Sequence, residues 1–93
     1  MKFIWDENKN EINIEKHGLS FDDALTAWND PLGFDLYDEK NSSLGEDRWF
    51  WFGRMKNGDI IRIVYTERPN GIYRIITAYS SKIIERIYHE QND

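Results

Sequence analysis

Apolar positions along the chain change their spacing twice, and the changes mark an N-terminal helical part, a central extended part and a C-terminal helix. Phe3–Trp5 is short enough for a first strand. Asp6 is a good N-cap for a helix running to about His17, and Gly18 can close it in the left-handed conformation. That helix is mostly polar, with Ile12 and Ile14 its only interior apolar residues. Ser20, with Asp23 three residues on, forms an acidic capping box for a second helix. Phe21, Ala24, Leu25 and Trp28 then fall at i, i+3, i+4 and i+7 as one core stripe. Asp30-Pro31 stops the helix, because the residue before proline is pushed out of helical space.

From Gly33 the pattern is extended. Phe34, Leu36 and Tyr37 suggest a strand, and a polar loop follows from Asp38 to Gly45. Three strand-like runs come next: Arg48–Gly53, Ile60–Thr66 and Ile72–Ser80. The connections Lys56-Asn57-Gly58-Asp59 and Arg68-Pro69-Asn70-Gly71 carry turn chemistry and are short enough for antiparallel hairpins. Ser81–Glu90 reads as a helix with Ile83, Ile84, Ile87 and Tyr88 on its buried side. The order predicts an α+β fold over residues 1–93, a single domain with N-terminal helices, a central antiparallel sheet and a C-terminal helix.

Period-two alternation assigns faces. Ile61, Ile63 and Tyr65 share one side of their strand, and Arg62, Val64 and Thr66 the other. In the following strand Arg74 falls with Ile72, Ile76 and Ala78, opposite Tyr73, Ile75, Thr77 and Tyr79. One face is expected to be covered by helices and the other to keep aromatic and basic groups. Trp49, Phe50, Trp51 and Phe52 run consecutively, so one pair is expected to face outward as a patch for a protein partner or a stacking platform.

Composition changes the picture in two ways. The aromatic residues (four Trp, five Tyr, five Phe) supply a dense core for only 93 residues. The absence of cysteine excludes disulfides and thiolate metal sites and suits a reducing cytoplasm. The two histidines, His17 and His89, lie far apart in sequence, so no metal site and no cofactor is expected. No apolar run suggests a signal peptide or a membrane span. The net charge of −5 argues against a polyanion ligand until its distribution is considered. Residues 1–47 carry four Lys/Arg and twelve Asp/Glu, whereas residues 48–88 carry eight and three. Seven of those eight bases lie between Arg48 and Lys82, a pattern that fits a polyanion-binding face beside an acidic one and equally a set of solvated strand-face charges. The acidic N-terminal half, Asp22 and Asp23 included, is expected to face away from such a polyanion.

Several segments in register resemble the BrnT family of ribonuclease toxins. They are Phe3-x-Trp5-Asp6 with Asn8 and Lys9, Lys16-His17-Gly18-Leu19-Ser20-Phe21, Asp30-Pro31, and Glu46-Asp47-Arg48 with Gly53. Val64-Tyr65-Thr66-Glu67-Arg68, Arg74-Ile75-Ile76-Thr77-Ala78, and Glu85-Arg86 with Tyr88 complete the series. The resemblance implies a RelE-like fold, metal-independent cleavage of RNA, and neutralisation by a BrnA-type antitoxin. DNA would be reached only through that antitoxin, and a homodimer inside the complex is one arrangement it allows. The chain also departs from the family pattern. Ser42-Ser43 stands where relatives carry a His-Ser pair, and Thr77, Tyr79 and Ser80 stand where they carry Ser, Arg and often Lys.

On this reading Arg48, Arg68 and Arg74 are the candidate phosphate ligands, since guanidinium groups are always charged and grip phosphate with two donors. Arg48 also follows two acids and could simply pair with Glu46 or Asp47. His17 is either a general acid or base or a charge placed favourably at a helix C-terminus. Tyr79, Lys82 and Arg62 are candidate RNA contacts, with core packing the alternative for Tyr79. Two functions fit: an endoribonuclease toxin, or a catalytically weak toxin-fold module that assembles with its antitoxin as a transcriptional co-repressor. The departures at Ser42 and Tyr79 favour the second, and the charge map with Arg68 and Arg74 favours the first.

Overall fold

The structure, a computed structural model, describes residues 1–93. Its strands are β1 (Lys2–Ile4), β2 (Phe34–Tyr37), β3 (Arg48–Arg54), β4 (Ile60–Arg68) and β5 (Ile72–Tyr79). They form one sheet in the order β1-β5-β4-β3-β2. The four later strands make an antiparallel meander, as expected of the hairpin connections. The sheet is nevertheless mixed, because β1 adds to β5 in parallel at the far edge. The chain then crosses through its helices to start β2 at the opposite edge. No helix is long and apolar enough to cross a membrane.

Helix α1 (Glu7–His17) begins and ends as its sequence indicates. Asp6 accepts from the Asn8 N–H at 2.9 Å, and Gly18, at φ 65°, donates its own N–H to the Ile14 carbonyl at 2.8 Å. The face it buries is not the apolar one. Ile12 and Ile14 are each 44% exposed, whereas Asn10 and Asn13 are buried. The reason lies in the sheet edge. β1 pairs with β5 only from Ile72 to Arg74, leaving the outer edge of the rest of β5 without a strand. Asn13 takes the missing strand's place: its carboxamide donates to the Ala78 carbonyl at 2.8 Å and accepts the Ala78 N–H at 3.1 Å. Buried backbone groups need such partners, and here one side chain serves both.

The second helix is shorter than the stripe suggests. Four α-helical residues, α2 (Phe21–Ala24), pass directly into a 3-10 segment, Leu25–Asn29. The tighter winding turns Ala27 fully into the core and leaves Leu25 and Trp28 partly buried. Trp28 stacks on Trp51 with centroids 4.5 Å apart, and the Trp51 indole N–H donates to the Ala27 carbonyl at 3.0 Å. This approach is possible because residue 53 is glycine: a Cβ there would collide with the Ala27 carbonyl and with Trp51.

The core has two parts, one on each side of the sheet. Phe21, Ala24 and Ala27 pack over Ile61, Ile63 and Tyr65 on one face. On the other, helix α3 (Lys82–Asn92), N-capped by Ser81, lays Ile84 and Tyr88 over Phe52 and Ile60. Both faces therefore use the consecutive aromatics of β3. Trp49 and Trp51 pack against the first cluster, while Phe52 lies in the second with Phe50 beside it. Neither pair faces fully outward: Trp49 and Trp51 pack beneath the helical elements on one side, and α3 buries Phe52 on the other while Phe50 stays half-buried beside it.

Alternation along β5 also breaks. Val64 pairs with Thr77 but Tyr65 pairs with Ile75, so Ile76 is an extra residue at a bulge. Beyond it the parity of β5 reverses. Arg74 lies directly opposite Thr66, and Tyr79 directly opposite Arg62, so all four share one face. The uninterrupted pattern had placed Arg74 and Tyr79 on opposite sides.

Candidate nucleic-acid interface

Helix α3 covers only the Phe52–Ile60 end of its face, which leaves the other end of that face open. There the register sets Arg48, Thr66 and Arg74 side by side in one row across β3, β4 and β5. Arg68, two residues further along β4, and Lys9, from α1, flank the row. With Glu46 and Ile76 they line a trough of about 120 Å³. The three arginines singled out as phosphate ligands are thus brought together. Arg68 and Arg74 are not direct cross-strand partners, since Arg68 faces Ile72.

Four cations and one carboxylate line this small volume. The Arg48 Nε lies 3.6 Å from Glu46, a half-exposed pair that leaves the site positively charged. Ser42 fixes where Arg48 enters the sheet: its hydroxyl accepts the Arg48 N–H at 2.9 Å and donates to the Asp38 carbonyl at 2.7 Å. Thr66 is 2% exposed, and its hydroxyl has no hydrogen-bond partner. An unpaired buried hydroxyl costs stability, so its position in the middle of a cationic row is chemically pointed. The array offers donors and positive charge to a compact anion with several oxygens.

The remaining candidates form a second group. Arg62 lies over the Phe50 ring at 4.4 Å and donates to the Tyr79 hydroxyl. Tyr79 in turn stacks on His17, with centroids 4.9 Å apart and planes 17° off parallel. Tyr79 is held between the two and does not present a free face for a base. His17 lines a larger cavity, about 630 Å³, and not the arginine trough. Lys82, the exposed first residue of α3, lines neither. No three His, Cys, Asp or Glu side chains converge to hold a metal ion.

Three contributors were missed in the sequence. Lys9 and Asp23 belong to the acidic half, yet Lys9 lines the trough and Asp23 the larger cavity. Thr66 read as an ordinary strand residue. A signal for Lys9 did exist: Lys9, Asn13 and His17 follow each other at i, i+4 and i+8, one face of α1. The division of charge by sequence halves misled because α1 folds back onto the basic strands.

Residues 5–85 match the family described as ribonuclease toxin, BrnT, of type II toxin-antitoxin system. A crystal structure of the Brucella abortus ribonuclease toxin BrnT resembles the chain with a TM-score of 0.69 and 25% sequence identity. The match covers 88% of this chain and 97% of that one. A comparison with curated sequences gives no match. Fold and family together define the class, the ribonuclease toxins of type II toxin–antitoxin systems. Within that class, the chain belongs to the BrnT family.

Proposed function

We propose that the chain is a metal-independent endoribonuclease whose scissile phosphate sits in the trough of Lys9, Arg48, Arg68 and Arg74. The observation that carries this reading is the cross-strand row itself, two guanidinium-bearing residues flanking an unpaired, buried Thr66 hydroxyl. In the reaction the ribose 2′-oxygen bonds to the adjacent phosphorus as the bond from phosphorus to the 5′-oxygen breaks. The 2′-hydroxyl loses a proton and the departing 5′-oxygen gains one. Negative charge grows on the non-bridging oxygens, and fixed donors aimed at them lower the barrier. Arg48, Arg68 and Arg74 supply the opposing positive charge and paired N–H donors. In this reading Glu46, the one carboxylate in the trough, takes the 2′-hydroxyl proton, and the departing 5′-oxygen takes its proton from water. His17 is given no proton-transfer role, because it lines the other cavity. A BrnA-type antitoxin would silence the reaction by occupying this face, and a homodimer within such a complex fits the reading.

The test is RNA cleavage by purified alanine variants. Loss of Arg68 or Arg74 should reduce cleavage by about 10²–10³-fold each, the effect of one preorganised donor. The double variant should lose less than the product, since groups acting as a unit are not additive. Lysine should rescue only in part. Single variants that cleave like wild type would remove these residues from the site. A second reading, a toxin-fold binding module acting as co-repressor, is favoured by one observation. Ser42, which stands where relatives carry histidine, is bound into the backbone of the loop, and the trough holds no imidazole. Wild-type protein that never cleaves RNA, free or on ribosomes, would establish that module instead.

A further inference from the structure

The trough is not the larger opening on this molecule. The cavity of about 630 Å³ lies at the other end of α1 and β5 and differs in chemistry. Its size falls within the range of small-ligand sites. Met55 and Ile61, both nearly buried, give it an apolar floor. Around them stand His17, Asp23, Lys56 and Asp59. Two carboxylates beside one lysine and one histidine do not suit a phosphate. They suit a flat, neutral group with both donors and acceptors on its edge. Most polar groups nearby are already used within the fold: Thr26 bonds the Asp23 carbonyl and the Lys56 N–H, and Ser80 bonds the Ile60 carbonyl. Asn57 and Asp59 bond each other. The side chains of His17, Asp23 and Lys56 make no hydrogen bond or ion pair, and so remain available.

Helix α1 ties this cavity to the trough. Lys9 reaches the trough and His17 the cavity from the same helical face, anchored midway by Asn13 on β5. Eight residues separate them, about 12 Å along the axis at ~1.5 Å rise per residue. Ile61, in the cavity floor, lies on the opposite face of the sheet from Thr66 and Arg74. An RNA strand held by a phosphate in the trough therefore has to follow α1 round the β5 edge to bring a nearby base to the cavity.

We propose that this cavity reads a nucleobase flanking the scissile phosphate and selects guanine. This inference rests on the ribonuclease reading and gives that enzyme its specificity. Guanine alone presents two neighbouring N–H donors, on N1 and the exocyclic N2, that one carboxylate accepts in parallel. Asp23 is that carboxylate, and Lys56 donates to the O6 oxygen. The exposed side of His17, whose other side is stacked on Tyr79, lies against the base. Phosphate contacts position the strand and base-edge contacts specify it, so trough and cavity divide the two tasks.

The experiment measures binding of four short 2′-O-methyl RNA oligonucleotides that the enzyme cannot cleave, identical but for one base. The guanine member should bind about tenfold or more tightly, the discrimination of a two-point base contact. Asp23→Asn should bring guanine down to the level of the others and leave those unchanged. Arg68→Ala should weaken all four alike. The absence of a base ranking, or one that survives Asp23→Asn, overturns the proposal. Lys56→Ala protein that binds all four as wild type does, but escapes its antitoxin, would assign the cavity to a protein partner and overturn it too. Cleavage of the unmodified oligonucleotides separates the two ideas: ranking without cleavage upholds the cavity and removes the reaction, whereas cleavage without ranking does the reverse.

Discussion

Thr66 concentrates the tension between stability and function in one atom. Its methyl group packs as a valine would, but its hydroxyl is buried and unpaired between Arg48 and Arg74 in the cross-strand row. Leaving such a hydroxyl unsatisfied costs about 1–3 kcal/mol. If the hydroxyl is kept for a phosphoryl oxygen, Thr66→Val should raise the melting temperature and lower RNA cleavage by about 10–100-fold, somewhat less than loss of a charged donor. Melting curves and cleavage rates on the same preparation check both halves. A variant that is destabilised yet fully active would show that Thr66 belongs to packing alone. Little of this was legible in the sequence. The arginines announced themselves by charge and by their place in motifs, whereas a threonine in a β-branched run looks like any strand residue until its neighbours are known.

At the scale of elements, termini were readable and orientation was not. Asp6, Gly18, Ser20, Pro31 and Ser81 act locally, and each marks its boundary to within a residue or two. The face that α1 buries depends instead on where β1 stops. Asn13 lies inward because the edge of β5 needs partners, and Ile12 and Ile14 lie outward as a result. The bulge at Ile76 is of the same kind: pairing with β4 sets it, and the run Ile72–Ser80 carries no sign of it. Asn13 also donates to the Leu19 carbonyl at 2.9 Å and accepts from the Thr77 hydroxyl at 3.0 Å. Asn13→Ala would strand buried backbone groups on β5 and should cost about 2–4 kcal/mol, since each unsatisfied group costs about 1–3 kcal/mol. Because Lys9 and His17 ride on the same helix face, cleavage should fall as well, at temperatures where the variant is still folded. Urea titrations checked against activity at low denaturant would read this. A loss under about 0.5 kcal/mol would mean that water replaces the carboxamide, as it can for accessible backbone groups.

Across the whole molecule, one carboxylate links the two sides of the sheet. Asp30, at the end of the 3-10 segment, accepts from the Tyr88 hydroxyl of α3 at 2.6 Å. It also accepts the backbone N–H groups of Arg54, at 2.7 Å, and Leu32, at 2.9 Å. Burial by itself would raise its pKa, but the hydrogen bonds from Tyr88, Leu32 and Arg54, with the charge of Arg54, outweigh burial. The folded carboxyl therefore titrates below its ordinary 3.8. Tyr88 shifts the other way, above 10.0, through burial and then through its bond to Asp30 and the charge there. Protonation of Asp30 thus favours the unfolded chain. Its contribution is complete above the ordinary value and is lost as pH falls through the folded one. Asp30 should accordingly make wild-type stability decline as pH falls below about 4, the ordinary carboxylate range. Asp30→Asn should be less stable at pH 7 and show a shallower decline, because one of the acid-sensitive groups is gone. Thermal melts of both proteins from pH 7 to pH 2 decide it through the difference between the two curves, which cancels the carboxylates they share. If the curves run parallel, Asp30 titrates alike in folded and unfolded chains, and its charge does not help hold α3 to the sheet.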